Sequence, residues 1–589
     1  MGRRIDVVLL VAGIVSVLEF KIGGAGYDSS AIDQVWDYAL DLKNFHEASH
    51  RLTIVPILLV PDAPDVSHAL QRDTDGVVRP LRANRRNFRD GVDRAVSAFL
   101  AEPIDGERWV SSSYRPTPTI IEAARALYAQ HSVDEIARHD AGAENLRVTS
   151  QHLEQLVAEA QRTRRKLVCF VTGVPGAGKT LVGLNVATRR NDESNSPAVY
   201  LSGNGPLVDV LREALTRDEV ARQNELGIRV RKGQVAESVK AFIQNVHHFR
   251  DDSLRDTSPP VEHVAIFDEA QRAWTRDRAE TWMRTKKGVA FPWSEPEYLL
   301  SSMDRHADWS VVVCLVGGGQ EINDGEAGIG EWLQALNARF PDWRMHISSR
   351  LTDSEYAAGG ALESVRNRPN VQLDECLHLA VSMRSFRAEN VSSFVKAVLD
   401  QEHRAAMDAL DLMRDRFPIA ITRDVDAAKE WVRDYARGSE RYGLVASSKA
   451  FRLKPHAIDV RVDVNPVHWF LSGKDDPRSS YYLEDAGTEF QVQGLELDWT
   501  CVTWDADLRL ASHSRGWSFH DFRGSRWMNV NKEENRRYLL NAYRVLLTRA
   551  RQGMVIFVPP GDRRDATRDP EFYDGTFEYL KGLGIPSIG

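Results

Sequence analysis

The sequence predicts an α/β protein built on parallel sheets, and three observations lead to it. From Lys166 onward, short apolar segments alternate with helix-forming stretches, the pattern of strand–helix–strand units. One of those segments, KLVCFV at 166–171, runs into Gly173-Val-Pro-Gly-Ala-Gly178-Lys179-Thr180 and then into a helical stretch. Near the start, VVLLVAGIVSVLEF reads as an apolar hairpin, followed by a helix and the strand TIVPILLV at 53–60.

The bulk properties bound the rest. A chain of 589 residues holds about three or four domains. With 42% hydrophobic and 27% charged residues it has the composition of ordinary soluble globular protein. A net charge of −8 excludes a basic nucleic-acid coat, so any nucleic-acid track is local. No stretch approaches the roughly 20 apolar residues of a membrane span. Cys169, Cys314, Cys376 and Cys501 are far apart and form no C-x-x-C pair, which fits buried free thiols in a reducing cytoplasm.

The first element, MGRRIDVVLLVAGIVSVLEFKIGG, has the basic start and apolar run of a secretory signal. Asp6 at the head of the run and the lack of a small-x-small site before Glu19 argue against that reading. A hairpin turning at Ala12-Gly13 is the better one. In that register facing residues have numbers summing to 25, so Asp6 faces Glu19, and strand alternation puts Glu19 and Lys21 on one face. Two carboxylates and a lysine on rigid strands suit a divalent-metal nuclease: Asp6 and Glu19 as ligands of Mg²⁺ or Mn²⁺, Lys21 to position or activate water. A surface hairpin with a chance charge cluster is the plain alternative.

This stretch resembles the PD-(D/E)xK nuclease fold. Asp6 matches the aspartate of that motif, and Glu19-Phe20-Lys21 matches its E-x-K. Gln34 and Tyr38 fit the Q-x-x-x-Y helix of the RecB-like branch. The resemblance implies an α/β restriction-endonuclease-like domain over residues 1–100. Such nucleases usually carry a helix before the Asp strand, and only five residues precede Asp6. A truncated, non-cutting clamp is therefore the alternative to an active module.

A helical linker is expected over 101–160, from the amphipathic run IIEAARALYAQHSVDEIARH. Two parallel α/β units follow, at 161–375 and 376–589, the first with charged and aromatic-basic insertions at 215–260 and 274–297. Two such units around one cleft would make a tandem RecA-like P-loop motor.

The nucleotide site is the most specific signal. In the G-x-x-x-x-G-K-T loop, Gly173, Pro175, Gly176, Ala177 and Gly178 let backbone N–H groups close around the phosphates of ATP. Lys179 pairs with the β- and γ-phosphates, and Thr180 holds Mg²⁺. The partner strand VAIF at 264–267 ends in Asp268-Glu269-Ala-Gln-Arg. Asp268 reaches Mg²⁺ through water, and Glu269 polarises the hydrolytic water.

The DEAQR string resembles superfamily 1 helicases, whose remaining motifs can be followed in order. AVYLSGN at 198–204 resembles motif Ia, VVVCLVGGGQ at 311–320 motif III, SMRS at 382–385 motif IV, QGLE at 493–496 motif V, and NAYRVLLTRAR at 541–551 motif VI. The resemblance implies Gln320 as γ-phosphate sensor and Arg384 reaching the nucleotide from the second unit. It places Glu496 at the cofactor and makes Arg549 the arginine finger that tightens on closure. Together the strings look most like the bacterial Schlafen-helicase-like branch, whose members often carry an N-terminal nuclease-like domain. Gln151, 28 residues before Lys179, is the candidate adenine reader.

Bases and aromatics interleave at Trp274–Trp293 and Arg515–Trp527, so those runs could stack bases and follow phosphates; local packing beneath loops is the alternative. His247-His248 lacks companion ligands and reads as ordinary helix.

The leading expectation is an ATP-dependent helicase or translocase fused to a metal-dependent nuclease, acting on single-stranded or duplex nucleic acid. DNA is favoured over RNA, and a role in phage defence or DNA processing follows from resemblance alone. The alternatives are the same motor with an inactive clamp, and a nucleotide-gated sensor ATPase that does not unwind.

Overall fold

The computed structural model describes residues 5–589 apart from 67–68, 113, 115–118, 130–139, 175, 194–196, 318–327, 353–358, 382–389, 415 and 511–515; side chains of 140–143, 191–193, 352 and 359–361 are also outside the description. The chain forms two compact units. One comprises residues up to 117 together with Arg433–Arg441, and the other holds most of the remainder. Among the described residues no helix is long and apolar enough to cross a membrane.

The first unit has a four-stranded sheet in the order β1-β2-β3-β4, comprising Val7–Val11, Ile14–Phe20, Thr53–Leu59 and Leu81–Ala83. β1 and β2 form an antiparallel hairpin in which Val7 faces Leu18 and Val11 faces Ile14. Ala12 (φ 50°) and Gly13 (φ 81°) both adopt the left-handed conformation that a tight two-residue hairpin turn requires. Gly13 is needed twice over, because a Cβ there would lie 2.5 Å from the Ala101 carbonyl carbon. Helix α1 (Ser29–Phe45) then crosses over, and β3 returns parallel to β2.

β2 does not alternate apolar and polar residues, because both faces of the sheet are covered. Val15 and Val17 pack with Val35, Ala39 and Leu42 of α1. Ile14 and Leu18 pack with Ala95 of the helix Phe88–Phe99 on the other face. The result is a helix–sheet–helix sandwich that brings the carboxyl end of β2 beside α1. Residues 433–441, distant in sequence, complete the unit: Arg437 pairs with Asp75 at 2.9 Å and Asp73 at 3.5 Å, and Ser439 donates to Asp37.

In the second unit, seven strands lie in the order β11-β10-β5-β9-β8-β6-β7, with β12 paired to β5. They are β5 Lys166–Gly173, β6 Ala198–Ser202, β7 Ile243–Asn245, β8 Val264–Asp268, β9 Ser310–Leu315, β10 Arg344–Ser348, β11 Val371–Asp374 and β12 His378–Leu379. Every pairing among them is parallel. A second parallel sheet has the order β13-β20-β16-β14-β15, from Ile419–Thr422, Ala550–Phe557, Leu497–Thr503, Tyr442–Ala446 and Ala486–Thr488. Between β16 and β20, Leu508–Arg509, Ser518–Arg523 and Arg526–Asn529 form a small antiparallel sheet, β17–β19.

The boundaries differ from the sequence expectation. Residues 101–160 do not form one linker, because the helices Ile120–Tyr128 and Asp140–Thr163 belong largely to the second unit. Asn145 donates to the His378 carbonyl and accepts from Ala380 N, and Thr149 donates to the Cys376 carbonyl. These bonds knit the helix to the segment carrying β12. The first sheet therefore extends to Leu379, beyond residue 375.

Candidate functional site

Two sites emerge, one in each unit. In the second unit, β5 delivers the chain into the glycine-rich loop, and the helix Lys179–Glu193 follows at once. Gly176 and Gly178 have φ of 76° and 83°, the left-handed backbone that favours glycine. Pro175 lies outside the described residues. The Lys179 ammonium donates to the carbonyls of Gly173 (2.8 Å) and Val174 (3.4 Å), holding it across the mouth of the loop. Gly173 serves a different purpose from its neighbours. A Cβ there would lie 2.7 Å from Leu379 Cβ, so glycine is required for β12 to pack on β5.

β8 is not the ladder neighbour of β5, because β9 lies between them. The link is made by side chains over the strand ends: Thr180 Oγ1 donates to Asp268 Oδ2 at 3.1 Å. Tyr200 from β6 donates to the same oxygen at 2.5 Å. Burial, with the neighbouring Glu269 charge adding to it, pushes the Asp268 carboxyl up to about 7. A hydroxyl and a buried carboxylate brought together beside a lysine fit a hard divalent cation with phosphate ligands. ATP with Mg²⁺ therefore matches the donor set here.

Glu269 follows in the left-handed conformation (φ 53°, ψ 49°), costly for a non-glycine residue by about 1–3 kcal/mol. Gln271 holds it there, donating from Nε2 to the Glu269 carboxylate while accepting from Gly317 N at 2.9 Å. Gly317 directly follows the β9 region, and a Cβ on it would press within 2.9 Å of both side chains.

The second sheet meets this edge through Gln493, which lies between the short helix Glu489–Val492 and β16. Its side-chain oxygen accepts from Arg272 at 2.6 Å, and its backbone oxygen accepts from Asn204 Nδ2 at 2.6 Å. Gly494, at φ 79°, lets the turn approach Leu207. Glu496 stands 3.8 Å from Arg551. Arg549 is buried, its Nε donating to the Val545 carbonyl at 3.1 Å. Gln320 and Arg384 lie outside the described residues. Gln151 is exposed and accepts from Arg147 one helical turn earlier.

Sequence reasoning assigns no role to Tyr200, Gln271, Arg272, Asn204 or Gln493, although each lies inside or beside a motif string. The spacing of polar residues at strand ends is the signal that points to them.

In both aromatic-basic runs the described rings make local packing contacts. Trp274, Trp282, Phe291 and Trp293 pack with Met283 and Tyr298. The Arg250 side chain, 2% exposed, lies 4.9 Å from the Trp282 ring centre, and His247 stacks beside it. In the later run Trp517 donates to the Leu399 carbonyl and Trp527 to the Thr567 carbonyl. These rings take part in local packing, and Trp274 also lines an open cleft with Asn204, Glu269, Arg272 and Arg278.

In the first unit, the hairpin gathers the predicted cluster at the carboxyl end of β2. Lys21 Nζ donates to Glu19 Oε1 (2.8 Å) and Gln34 Oε1 (3.0 Å), and Gln34 Nε2 donates to Tyr38 OH (2.9 Å). Gln34 and Tyr38 are one turn apart on α1, so both reach the same side. Asp6, one residue before the Val7–Leu18 pair, accepts from Phe20 N through Oδ2 at 2.9 Å. Glu19 is 4% exposed, and its Oε2 has no hydrogen-bond partner among the described residues. An unmet buried carboxylate oxygen beside an exposed aspartate fits a divalent cation. A cleft of about 750 Å³ opens beside it, lined by Lys21, Ile22, Gly24, Asp28, Ser30 and Gln34.

The second unit is thus a P-loop ATPase motor with two parallel-sheet lobes. The family described as Schlafen group 3, DNA/RNA helicase domain, matches residues 166–560, and the chain belongs to it. At that level it is an ATP-dependent helicase or translocase. No curated protein matches the chain. Among solved structures, the Hef helicase domain of Pyrococcus furiosus is similar at 12% identity and TM-score 0.24, over 69% of this chain and 95% of that one. The Sulfolobus solfataricus SWI2/SNF2 ATPase core in complex with dsDNA is similar at 9% identity and TM-score 0.19, over 67% and 83%. Such scores carry no information about the activity of this chain.

Proposed function

We propose that this protein is an ATP-driven DNA translocase or helicase fused to a metal-dependent nuclease of the PD-(D/E)xK type. The observation that carries the nuclease half is the hydrogen-bonded series Glu19–Lys21–Gln34–Tyr38 ending on the unpartnered Glu19 Oε2. Asp6 and Glu19 would hold Mg²⁺ or Mn²⁺, which would supply a Lewis acid and an activated water. Lys21 would position or activate the attacking water beside Glu19. Gln34 and Tyr38 fix the direction of Lys21.

In the motor half, Lys179 and the loop amides bind the phosphates of ATP, and Thr180 and Asp268 bind Mg²⁺. Glu269 orients the attacking water. Arg549, Arg384, Gln320 and Glu496 complete the site when the lobes close on nucleotide. Closure draws on Arg272 and Gln493, which already join the lobes.

The test is incubation of the full chain with labelled single-stranded DNA, duplex DNA and RNA, with and without ATP, in Mg²⁺, Mn²⁺ or chelator. Metal-dependent DNA cleavage and DNA-stimulated hydrolysis support the reading. DNA-stimulated hydrolysis without cleavage replaces the nuclease by a clamp. Hydrolysis indifferent to every nucleic acid removes the translocase.

A further inference from the structure

The two rims of the first sheet carry different chemistry. Nucleotide-site residues cluster where β5, β8 and β9 end. At the opposite rim, where β8 and β9 begin, His263, His306 and Asp308 meet, with one ring nitrogen of each histidine and one carboxylate oxygen within 4.8 Å of one another. His263 directly precedes β8, and His306 and Asp308 lie in the turn before β9.

Both imidazoles are anchored by one nitrogen to a backbone carbonyl. His263 Nδ1 lies 2.9 Å from the Trp309 oxygen, and His306 Nε2 lies 3.0 Å from the Glu262 oxygen. A carbonyl only accepts, so those two nitrogens carry the protons. His263 Nε2 and His306 Nδ1 are left as bare lone pairs in the neutral rings, with no hydrogen-bond partner among the described residues. The rings lie close, with centroids 4.0 Å apart, and the Trp309 indole stacks on His263 at 4.5 Å. Asp308 accepts from Trp309 N through Oδ1, which leaves its second oxygen available.

A histidine whose outer nitrogen is tied to a carbonyl is the usual form of a metal-ligating histidine, because the tie fixes both tautomer and ring direction. Two such rings and a carboxylate suit an ion of the zinc class, whereas the oxygen-rich sites elsewhere in the chain suit Mg²⁺.

We propose that His263 Nε2, His306 Nδ1 and the Asp308 carboxylate bind one divalent transition-metal ion, Zn²⁺ or a close relative, with water in the fourth position. Asp308 is exposed, so the open position faces solvent. Bonds of about 2.0–2.1 Å in a tetrahedron place ligand atoms roughly 3.3 Å apart, so binding draws the three groups inward. The Asp308 turn supplies that movement. The ion would pin together the starts of two adjacent central strands whose other ends lead to Glu269 and Gly317.

The experiment uses the full-length protein, stripped of metal by chelator and then dialysed against Zn²⁺, with metal content measured directly. Asp308→Ala removes an exposed ligand together with the acceptor for Trp309 N; His263→Gln is the second variant. Wild type is expected to retain one more equivalent of Zn²⁺ than either variant, and to gain thermal stability from Zn²⁺ that the variants do not. Affinity in the variants should fall roughly tenfold or more. A Co²⁺ titration should give the strong visible absorption of a four-coordinate site in wild type alone. Equal Zn²⁺ content and equal thermal shift in wild type and both variants would overturn the proposal. So would a weak, six-coordinate type of Co²⁺ spectrum in wild type. Folding of each variant is checked by circular dichroism, so that loss of binding is not confused with loss of structure.

Discussion

Arg272 and Gln493 join the two parallel-sheet lobes through one charged hydrogen bond of 2.6 Å. Arg272 follows Glu269 by three residues, so the bond ties the candidate catalytic turn directly to the second lobe. A hydrogen bond to a charged group contributes about 1.5–3 kcal/mol. Gln493→Ala is expected to reduce nucleic-acid stimulation of ATP hydrolysis by about tenfold or more while basal hydrolysis changes far less. Steady-state ATPase assays with and without single-stranded DNA measure both.

Glu269→Gln keeps the shape of the side chain and removes its charge. If Glu269 orients the attacking water, hydrolysis should fall by roughly 10²–10⁴-fold with ATP binding retained. Unchanged turnover would place the water-orienting group elsewhere.

Lys21→Ala should abolish metal-dependent cleavage and leave ATPase activity in place, because the two sites belong to different compact units. Tyr38→Phe offers a milder version. It removes the hydroxyl that accepts from Gln34, so Gln34 is less firmly held against Lys21, and cleavage should slow without loss of fold.

Asp507 is buried beside Asp505 and accepts from the Tyr543 hydroxyl at 2.6 Å. Burial foremost, and then the Asp505 charge, push its carboxyl up to about 7. The native state therefore keeps a proton that the unfolded chain releases near pH 4. Stability is greatest below that pH with respect to this group and declines as pH rises toward 7. Asp507→Asn removes the proton exchange and keeps an acceptor for Tyr543. Its urea midpoint should fall less than that of wild type between pH 5 and 8.

Gly173→Ala should destabilise the second unit by about 1–3 kcal/mol, the usual cost of forcing extra volume into a packed site. The new methyl would meet Leu379 at 2.7 Å. Thermal melting of the full chain measures this. The loss should appear without nucleotide, which separates it from a defect in phosphate binding.

Local rules account for what is legible in the residues. The hairpin register follows from one turn and a run of β-branched residues, and strand alternation alone then puts Glu19 and Lys21 on one face. The four-residue spacing of Gln34 and Tyr38 does the same on α1. Relations that depend on distant segments are not legible in this way. Nothing in the order of residues says that β9 inserts between β5 and β8, or that Asn145 bonds to His378. The packing of the tryptophan runs is not legible for a related reason. Composition shows rings next to cations, but the partners they contact, such as Arg250 and Leu399, lie outside the runs.

β12 gives the seam between Gly173 and Leu379 a mechanical meaning. The Leu379 carbonyl accepts from Val174 N at 3.0 Å, inside the phosphate loop, and every strand of the second sheet follows this point in sequence. The strand that precedes the second lobe in sequence is thus bonded to the phosphate loop. Backbone alone joins the two, with no side chain between them.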